Sequence, residues 1–155
     1  MNWIIQHSTK MPHHTYLDVI VKSFKDRIDE YNWIICDVEY NSTSEVGVLI
    51  DMKNDYIIFS PQDFKLLVNS RIQFWWGIIL AVPIAKEIKL DNDNLPHAEF
   101  NRLVWKNGNL QYHDAEIEII CLDSSYTIVK FTKQDISDKF KNFFAEDAIP
   151  LEKFK

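Results

Sequence analysis

The longest apolar run in the chain covers residues 74–83 and reads Phe-Trp-Trp-Gly-Ile-Ile-Leu-Ala-Val-Pro. A continuous run of aromatic and branched residues is typical of a strand that is covered on both faces. The run is too short to span a bilayer, which takes about 20 residues in a helix. Just upstream, Ser60, Pro61 and Asp63 favour a helix start through capping, proline at the first turn and complementarity to the helix dipole. We therefore predict a short helix that leads into a central strand.

Two further segments have the 3.6-residue periodicity of amphipathic helices. The first is predicted to be one continuous helix, and Thr15 and Asp18 at its start resemble a capping box. Its apolar positions are Tyr16, Leu17, Ile20, Val21, Phe24, Ile28 and Tyr31. The second helix begins near Thr132, and its predicted buried positions are Ile136, Phe140, Phe143 and Phe144.

Short apolar or alternating runs predict the other strands. These strands cover residues 3–6, 32–40, 46–50, 56–59, 114–122 and 126–131, and the third and fourth of them are read as the arms of a hairpin. Residues 84–90 favour a further strand, residues 95–105 fit either a helix or a strand, and residues 145–155 form an extended tail. The Asn107-Gly108 pair predicts a two-residue hairpin turn.

This order of elements predicts a single α+β domain over residues 1–155. Its largely antiparallel sheet of about five to seven strands should pack against two or three helices. The composition agrees with one folded core, because 46% of the residues are hydrophobic and the chain has only 3 glycines and 5 prolines. We find no internal repeat, no linker and no glycine-rich phosphate-binding loop.

The net charge of the chain indicates which classes of partner it suits. A formal net charge of −6 disfavours nucleic acid, because neutralisation of phosphates by lysine and arginine supplies most of that affinity. An acidic domain is better suited to a basic protein surface. We expect no membrane partner, and the absence of a secretory signal pattern at the N-terminus predicts a cytoplasmic protein. Cys36 and Cys121 lie in apolar runs, so we expect buried, reduced thiols and neither a disulfide nor a zinc site.

Several residues have side chains suited to catalysis, but none belongs to a recognisable catalytic motif. His7, His13 and His14 are read as loop histidines, and we predict no metal site and no cofactor. The pairs His97 with Glu99 and His113 with Asp114 fit acid–base chemistry but have no evident nucleophile. Two acids on one strand face, either Asp37 with Glu39 or Glu116 with Glu118, are weak evidence for a nuclease. We therefore expect a protein that is not an enzyme.

Residues 91–123 contain seven acids and two bases, so they hold most of the net charge. Alternation predicts that Asp114, Glu116 and Glu118 share one face of a strand. One interpretation is a solvated face, and the other is an acidic docking surface with aromatic anchors. The candidate partner-binding residues are Asp91, Asp93, Glu99, Trp105, Tyr112, Asp114, Glu116, Glu118 and Asp123.

Three stretches and the last helix together resemble small bacterial immunity proteins encoded beside toxins. The stretches are residues 31–35 (Tyr-Asn-Trp-Ile-Ile), 74–77 (Phe-Trp-Trp-Gly) and 119–127 (Ile-Ile-Cys-Leu-Asp-Ser-Ser-Tyr-Thr). The resemblance implies stoichiometric binding and neutralisation of a cognate toxin domain, often a basic nuclease, without a cofactor. It assigns no functional residue, because such proteins use varied surfaces. The alternatives are a small-molecule-binding or regulatory α+β domain, or an enzyme of an unrecognised class.

Overall fold

A seven-stranded antiparallel sheet runs through the computed structural model, which describes residues 1–11, 13–41, 50 and 53–154. Its strands are β1 (Asn2–Ile5), β2 (Tyr31–Asn41), β3 (Tyr56–Phe59), β4 (Gln73–Pro83), β5 (Ile117–Leu122), β6 (Tyr126–Phe131) and β7 (Ile149–Pro150). They lie in the order β3-β2-β4-β5-β6-β1-β7. The predicted α+β fold is confirmed, and the apolar run is an interior strand, since β4 pairs with both β2 and β5.

Three α-helices cover one face of the sheet: α1 (Leu17–Lys22), α2 (Pro61–Asn69) and α3 (Gln134–Phe144). The predicted start of α2 is confirmed, because the Ser60 hydroxyl accepts a hydrogen bond from the Asp63 amide at 3.1 Å. The core beneath the helices is strongly aromatic, and the ring of Trp33 stacks on that of Phe64. This face therefore carries the main core of the protein.

The other face of the sheet is covered by residues 84–116, which we call the cover segment. In place of a helix or strand, the cover segment has only a 3₁₀ turn at Arg102–Trp105. It packs on a second apolar cluster, formed on the sheet by Ile34, Ile78, Leu80, Ile120 and Ile128. The cover residues in that cluster include Ala98, Val104, Tyr112 and Ala115. Each sheet face is thus buried, which explains the continuous apolar runs of β2 and β4.

The prediction that the first amphipathic segment forms one continuous helix is wrong. The α-helix ends at Lys22, and a 3₁₀ helix over Lys25–Glu30 replaces the rest. The Ser23 hydroxyl donates to the carbonyl of Ile20 at 3.2 Å, a local bond that competes with helix continuation. The predicted capping box is also wrong, because the Thr15 hydroxyl donates to the carbonyl of Phe74 and no side chain caps α1.

Residues 84–90 form no strand, and Asn107-Gly108 is a turn without flanking strands. The physical reason is that β5 already has β4 on one side and β6 on the other, so the sheet offers no free edge beside it. The predicted hairpin arm 46–50 lies outside the described residues except for Ile50. The predicted tail instead contains β7, which pairs with β1.

A bulge in β2 requires a glycine in β4. The pairing of β2 with β4 shifts between Cys36 and Glu39, and this brings Val38 close to Gly77. A Cβ atom on Gly77 would lie 2.6 Å from Cγ1 of Val38, and the φ of Gly77 is +149°. Both the close approach and the backbone conformation therefore exclude a side chain here.

Replacing Gly77 with alanine is expected to lower the free energy of unfolding by about 2 to 4 kcal/mol, because overpacking adds to backbone strain. The matched control is Gly108→Ala, since Gly108 also has a positive φ of +77° but its Cβ would meet no atom of the described residues within 4 Å. In the control variant only backbone strain is added, so the free energy of unfolding should fall by about 1 to 2 kcal/mol. Urea denaturation measures both, and equal losses would contradict the packing argument.

Candidate functional site

The β2 bulge also shapes one end of the sheet. Asp37 adopts a φ of 52°, and its carboxylate accepts a hydrogen bond from the Ala98 amide at 2.8 Å. This bond ties the cover segment to the sheet at the β2 bulge. The turn between β5 and β6 lies at the same end, since the Ser124 amide donates to the carbonyl of Trp75 at 3.2 Å.

An acidic pocket of about 510 Å³ opens beside the bulge. Four carboxylates line it, from Asp37, Glu39, Asp55 and Glu99. Its apolar wall includes Trp76, and its other wall comes from cover residues 95–97. Such a concentration of negative charge around one opening favours a cationic group of a partner.

An apolar groove of about 390 Å³ lies on the other side of Trp76. Phe100 stands at its edge with 95% of its side chain exposed, and its backbone φ is 55°. Trp105 is 44% exposed and packs edge-to-face on Tyr126, with ring centroids 5.9 Å apart. The Phe154 ring stacks on Trp105 at 6.1 Å and holds it from behind. Exposed but braced aromatic rings are the usual anchors of protein interfaces.

The pocket and the groove share Trp76 and form one continuous region, which we call the acidic–aromatic surface. Its acidic and aromatic members are Asp37, Glu39, Asp55, Trp76, Glu99, Phe100, Trp105, Asp123 and Tyr126. Among the ion pairs that the described residues form with one another, none includes an acid of this surface. Acids elsewhere, such as Asp26, Glu30 and Glu116, are paired with lysine or arginine. The negative charge is therefore concentrated at the acidic pocket, whereas the groove also carries one cation, Arg102.

Five of the nine predicted binding residues lie at this end of the sheet. Glu99 lines the acidic pocket, and Trp105 and Asp123 line the groove. Asp91 and Asp93 are exposed and flank Asn92, which lines the acidic pocket. The structure thus brings together residues that are up to 32 positions apart in the sequence, from 91 to 123.

Asp114 and Glu116 lie at the opposite end of the sheet, because β5 begins after them and spans about 20 Å. Glu116 pairs with Lys133 at 2.7 Å and accepts from the Tyr31 hydroxyl at 2.8 Å. Asp114 pairs with Lys86 at 3.4 Å. Their predicted position on one strand face with Glu118 is wrong, since only Glu118 is in β5.

The prediction that Glu118 and Tyr112 lie on the binding surface is wrong. Glu118 is fully buried between the sheet and the cover segment. Tyr112 is also buried, and its hydroxyl accepts a hydrogen bond from the Lys89 amide at 3.0 Å. The acidic alternation that placed Glu118 outside failed because the cover segment supplies it with polar partners inside.

Of the two histidine–acid pairs named from the sequence, both within the described residues, His113 and Asp114 are in contact, whereas no bond joins His97 to Glu99. The His97 ring contacts the carbonyl of Leu95 at 3.2 Å, although Glu99 is only two residues away. His113 lies 3.1 Å from Asp114, but that carboxylate also binds Lys86 and the imidazole is largely exposed. His7 and His14 line a shallow cavity, where burial lowers the pKa of His14. Within the described ranges, no group of three or more histidine, cysteine or acidic side chains has a geometry that could hold a metal ion.

Both cysteines are buried, free thiols, as the sequence predicted. Burial raises the pKa of Cys36 to about 12 and also raises the pKa of Cys121. Thiolate chemistry is therefore suppressed at both positions.

Comparison of the chain with protein-family models, curated protein sequences and solved structures finds no significant match. In the part of the chain that the structure describes, no helix is long and apolar enough to cross a membrane.

Sequence reasoning missed Phe100, Trp76 and Tyr126 as parts of the surface. It noted Asp37 and Glu39 only as a possible catalytic pair, because nothing in the sequence joins β2 to the cover segment. The exposure of Phe100 could have been inferred from one local feature. It lies between two polar residues, Glu99 and Asn101, in a segment without a clear hydrophobic period.

Proposed function

We propose that this protein is an immunity-type inhibitor that binds a basic toxin domain through the acidic–aromatic surface. The observation that supports this proposal is the combination, at one end of the sheet, of acids without ion pairs to described residues and outward-facing aromatic rings. The protein acts in the cytoplasm as a stoichiometric binder and uses no cofactor. The resemblance to immunity proteins supports the same reading.

The two halves of the surface have different physical roles in this proposal. The acids attract a basic partner and raise the association rate. The aromatic rings then give contacts that keep the complex together, since aromatic anchors dominate interface affinity. A nuclease suits this surface because its phosphate-binding groove must be basic. The inhibitor would cover that groove and exclude the substrate.

A small-molecule site is less well supported by the same geometry. Small ligands are usually enclosed by mostly apolar walls. Here Phe100 points outward with 95% exposure, and four carboxylates line the larger pocket. An outward aromatic ring beside an acidic rim fits a macromolecular partner better.

The proposal is tested by titration calorimetry with the purified product of the adjacent gene. We expect a 1:1 complex with nanomolar affinity and, on co-expression, relief of that product's toxicity. Absence of binding at micromolar concentrations would overturn the proposal.

Reversing two acids of the surface is expected to weaken this binding strongly. In the double variant Glu99→Lys/Asp123→Lys, the association rate should fall about tenfold or more at low salt, and the dependence on salt should decrease. The matched control is Asp138→Lys/Glu146→Lys, which changes the net charge equally on or beside α3, on the helix side of the sheet. Surface plasmon resonance over a salt series measures both. Equal losses would show that only net charge matters and not this surface.

A further inference from the structure

Two charged side chains are fully buried beneath the cover segment. Glu118 of β5 and Lys130 of β6 are cross-strand partners, and both side chains are on the sheet face away from the helices. Burial raises the pKa of Glu118 and lowers that of Lys130. Because burying charge is costly, such groups require specific compensating bonds.

The compensating bonds go to the cover segment rather than from one charge to the other. Lys130 Nζ donates to the carbonyls of Leu103 at 3.1 Å and Asn109 at 2.7 Å. The Glu118 carboxylate accepts from the backbone amide and the side-chain amide of Gln111, each at 3.0 Å. Among the ion pairs of the described residues, none joins Glu118 to Lys130. Each charge is therefore hydrogen-bonded to the cover segment, in addition to the longer-range attraction between the two charges.

Gln111 extends this connection to the loop that carries Glu99 and Phe100. Its Oε1 accepts from the His97 amide at 3.0 Å and from Asn101 Nδ2 at 2.8 Å. Asn101 in turn accepts from the Leu103 amide at 3.0 Å, which begins the 3₁₀ turn that ends at Trp105. The chain of bonds thus runs from the buried carboxylate to both sides of Phe100.

We propose that Glu118 and Lys130 are positioning residues that hold residues 97–105 in their binding conformation, with Gln111 as the relay between Glu118 and the loop. Lys130 fixes the turn beneath Trp105, and Glu118 fixes the loop around Phe100. The loop geometry stands on the hydrogen bonds alone, whereas its consequence for binding rests on the proposed function. In this proposal the buried charges determine the conformation of a surface of which they are not a part.

The relay can be broken without removing either buried charge. In Gln111→Leu, the amide groups of His97 and Asn101 lose their common acceptor while Glu118 keeps one backbone donor. Amide hydrogen exchange in peptides covering residues 97–105 should become about tenfold faster, the factor expected for one or two lost hydrogen bonds. Peptides from β4 and α3 should exchange as in the unmodified protein. Unchanged exchange at 97–105, or an equal increase throughout the chain, would overturn the proposal.

Glu118→Gln tests whether hydrogen bonding or charge is responsible. The amide oxygen still accepts from one of the two Gln111 donors, and the bonds from His97 and Asn101 to Gln111 Oε1 are not removed. Exchange at 97–105 should therefore stay within about twofold of the unmodified protein. Exchange as fast as in Gln111→Leu would contradict a role through hydrogen bonds. Lys133→Met is the control, because it removes the surface ion pair with Glu116 at the far end of the sheet. It should leave residues 97–105 unaffected.

Binding of the adjacent gene's product separates this inference from the proposed function. Gln111→Leu should weaken that affinity about tenfold, since a loosened loop must be ordered on binding. Its urea midpoint should fall only moderately, because Glu118 loses one of its two donors and keeps the other. Faster loop exchange with unchanged affinity would overturn the positioning role. If the unmodified protein does not bind the product at all, the exchange result still decides the loop geometry, and only the proposed function fails.

Discussion

Replacing Trp33 with alanine is expected to lower the free energy of unfolding by about 3 to 5 kcal/mol, the range for deleting a large buried aromatic side chain. Trp33 has no exposed surface, and its ring lies parallel to that of Phe64 with centroids 3.9 Å apart. Its indole N–H donates to the carbonyl of Ile28 at 3.3 Å. The substitution would open a cavity between β2 and α2 and remove one of the two donors to that carbonyl, the other being the Tyr31 amide.

Guanidinium denaturation followed by circular dichroism measures this loss. Trp33→Phe should cost less, because a second aromatic ring can still stack on Phe64. Trp75 provides the control, since it is 42% exposed in the neighbouring strand β4. Trp75→Ala should change stability by less than about 1 kcal/mol. A Trp33→Ala protein as stable as the Trp75→Ala protein would contradict the packing described here.

Glu118→Lys is expected to prevent stable folding. The substitution places a second cation opposite Lys130 in a buried site and removes both acceptors of Gln111. Leaving buried charge uncompensated costs about 3 to 5 kcal/mol, and like-charge repulsion adds to that cost. Because small domains are stable by only about 5 to 15 kcal/mol, this loss is a large part of the total.

Near-ultraviolet circular dichroism and binding of a hydrophobic dye report the outcome of this charge reversal. Glu99→Lys is the matched control, because it makes the same chemical change at an exposed position. It should fold normally, with stability within about 0.5 kcal/mol of the original. Native spectra for Glu118→Lys would mean that Glu118 is not enclosed by the cover segment.

The regular part of the fold was predictable because its signals are local. The strand at residues 74–83 and the helix start at Ser60 were predicted from neighbouring residues in the sequence. Both predictions are confirmed. The continuous helix was wrong because Ser23 and Phe24 end it through local bonding that the apolar period does not register. Periodicity therefore identified which residues are buried more reliably than it identified the helix ends.

The cover segment was not predictable, because distant partners determine its conformation. Its backbone is held by Asp37, Glu118 and Lys130, which are far from it in the sequence or belong to other elements. In the sequence, Glu118 is simply an acid between two isoleucines, which reads as a solvent-facing position. Part of the candidate surface was predicted, since Glu99, Trp105 and Asp123 were identified from charge density and aromatic content. The contribution of Asp37 and Glu39 was not, because it depends on the bulge in β2.

The separation of the cover segment from the helix layer has a consequence for evolution. The positions that fix its path, such as Val104 and Gln111, face inward or bond to the sheet, while Phe100 and Leu103 extend into solvent. Substitutions at the outward positions should cost little folding stability, because the sheet and its helices bury their own core. Under the proposed function, substitutions at a few such loop positions would let related proteins bind toxins whose surfaces differ. The same division makes the segment a natural place for laboratory selection of new specificities.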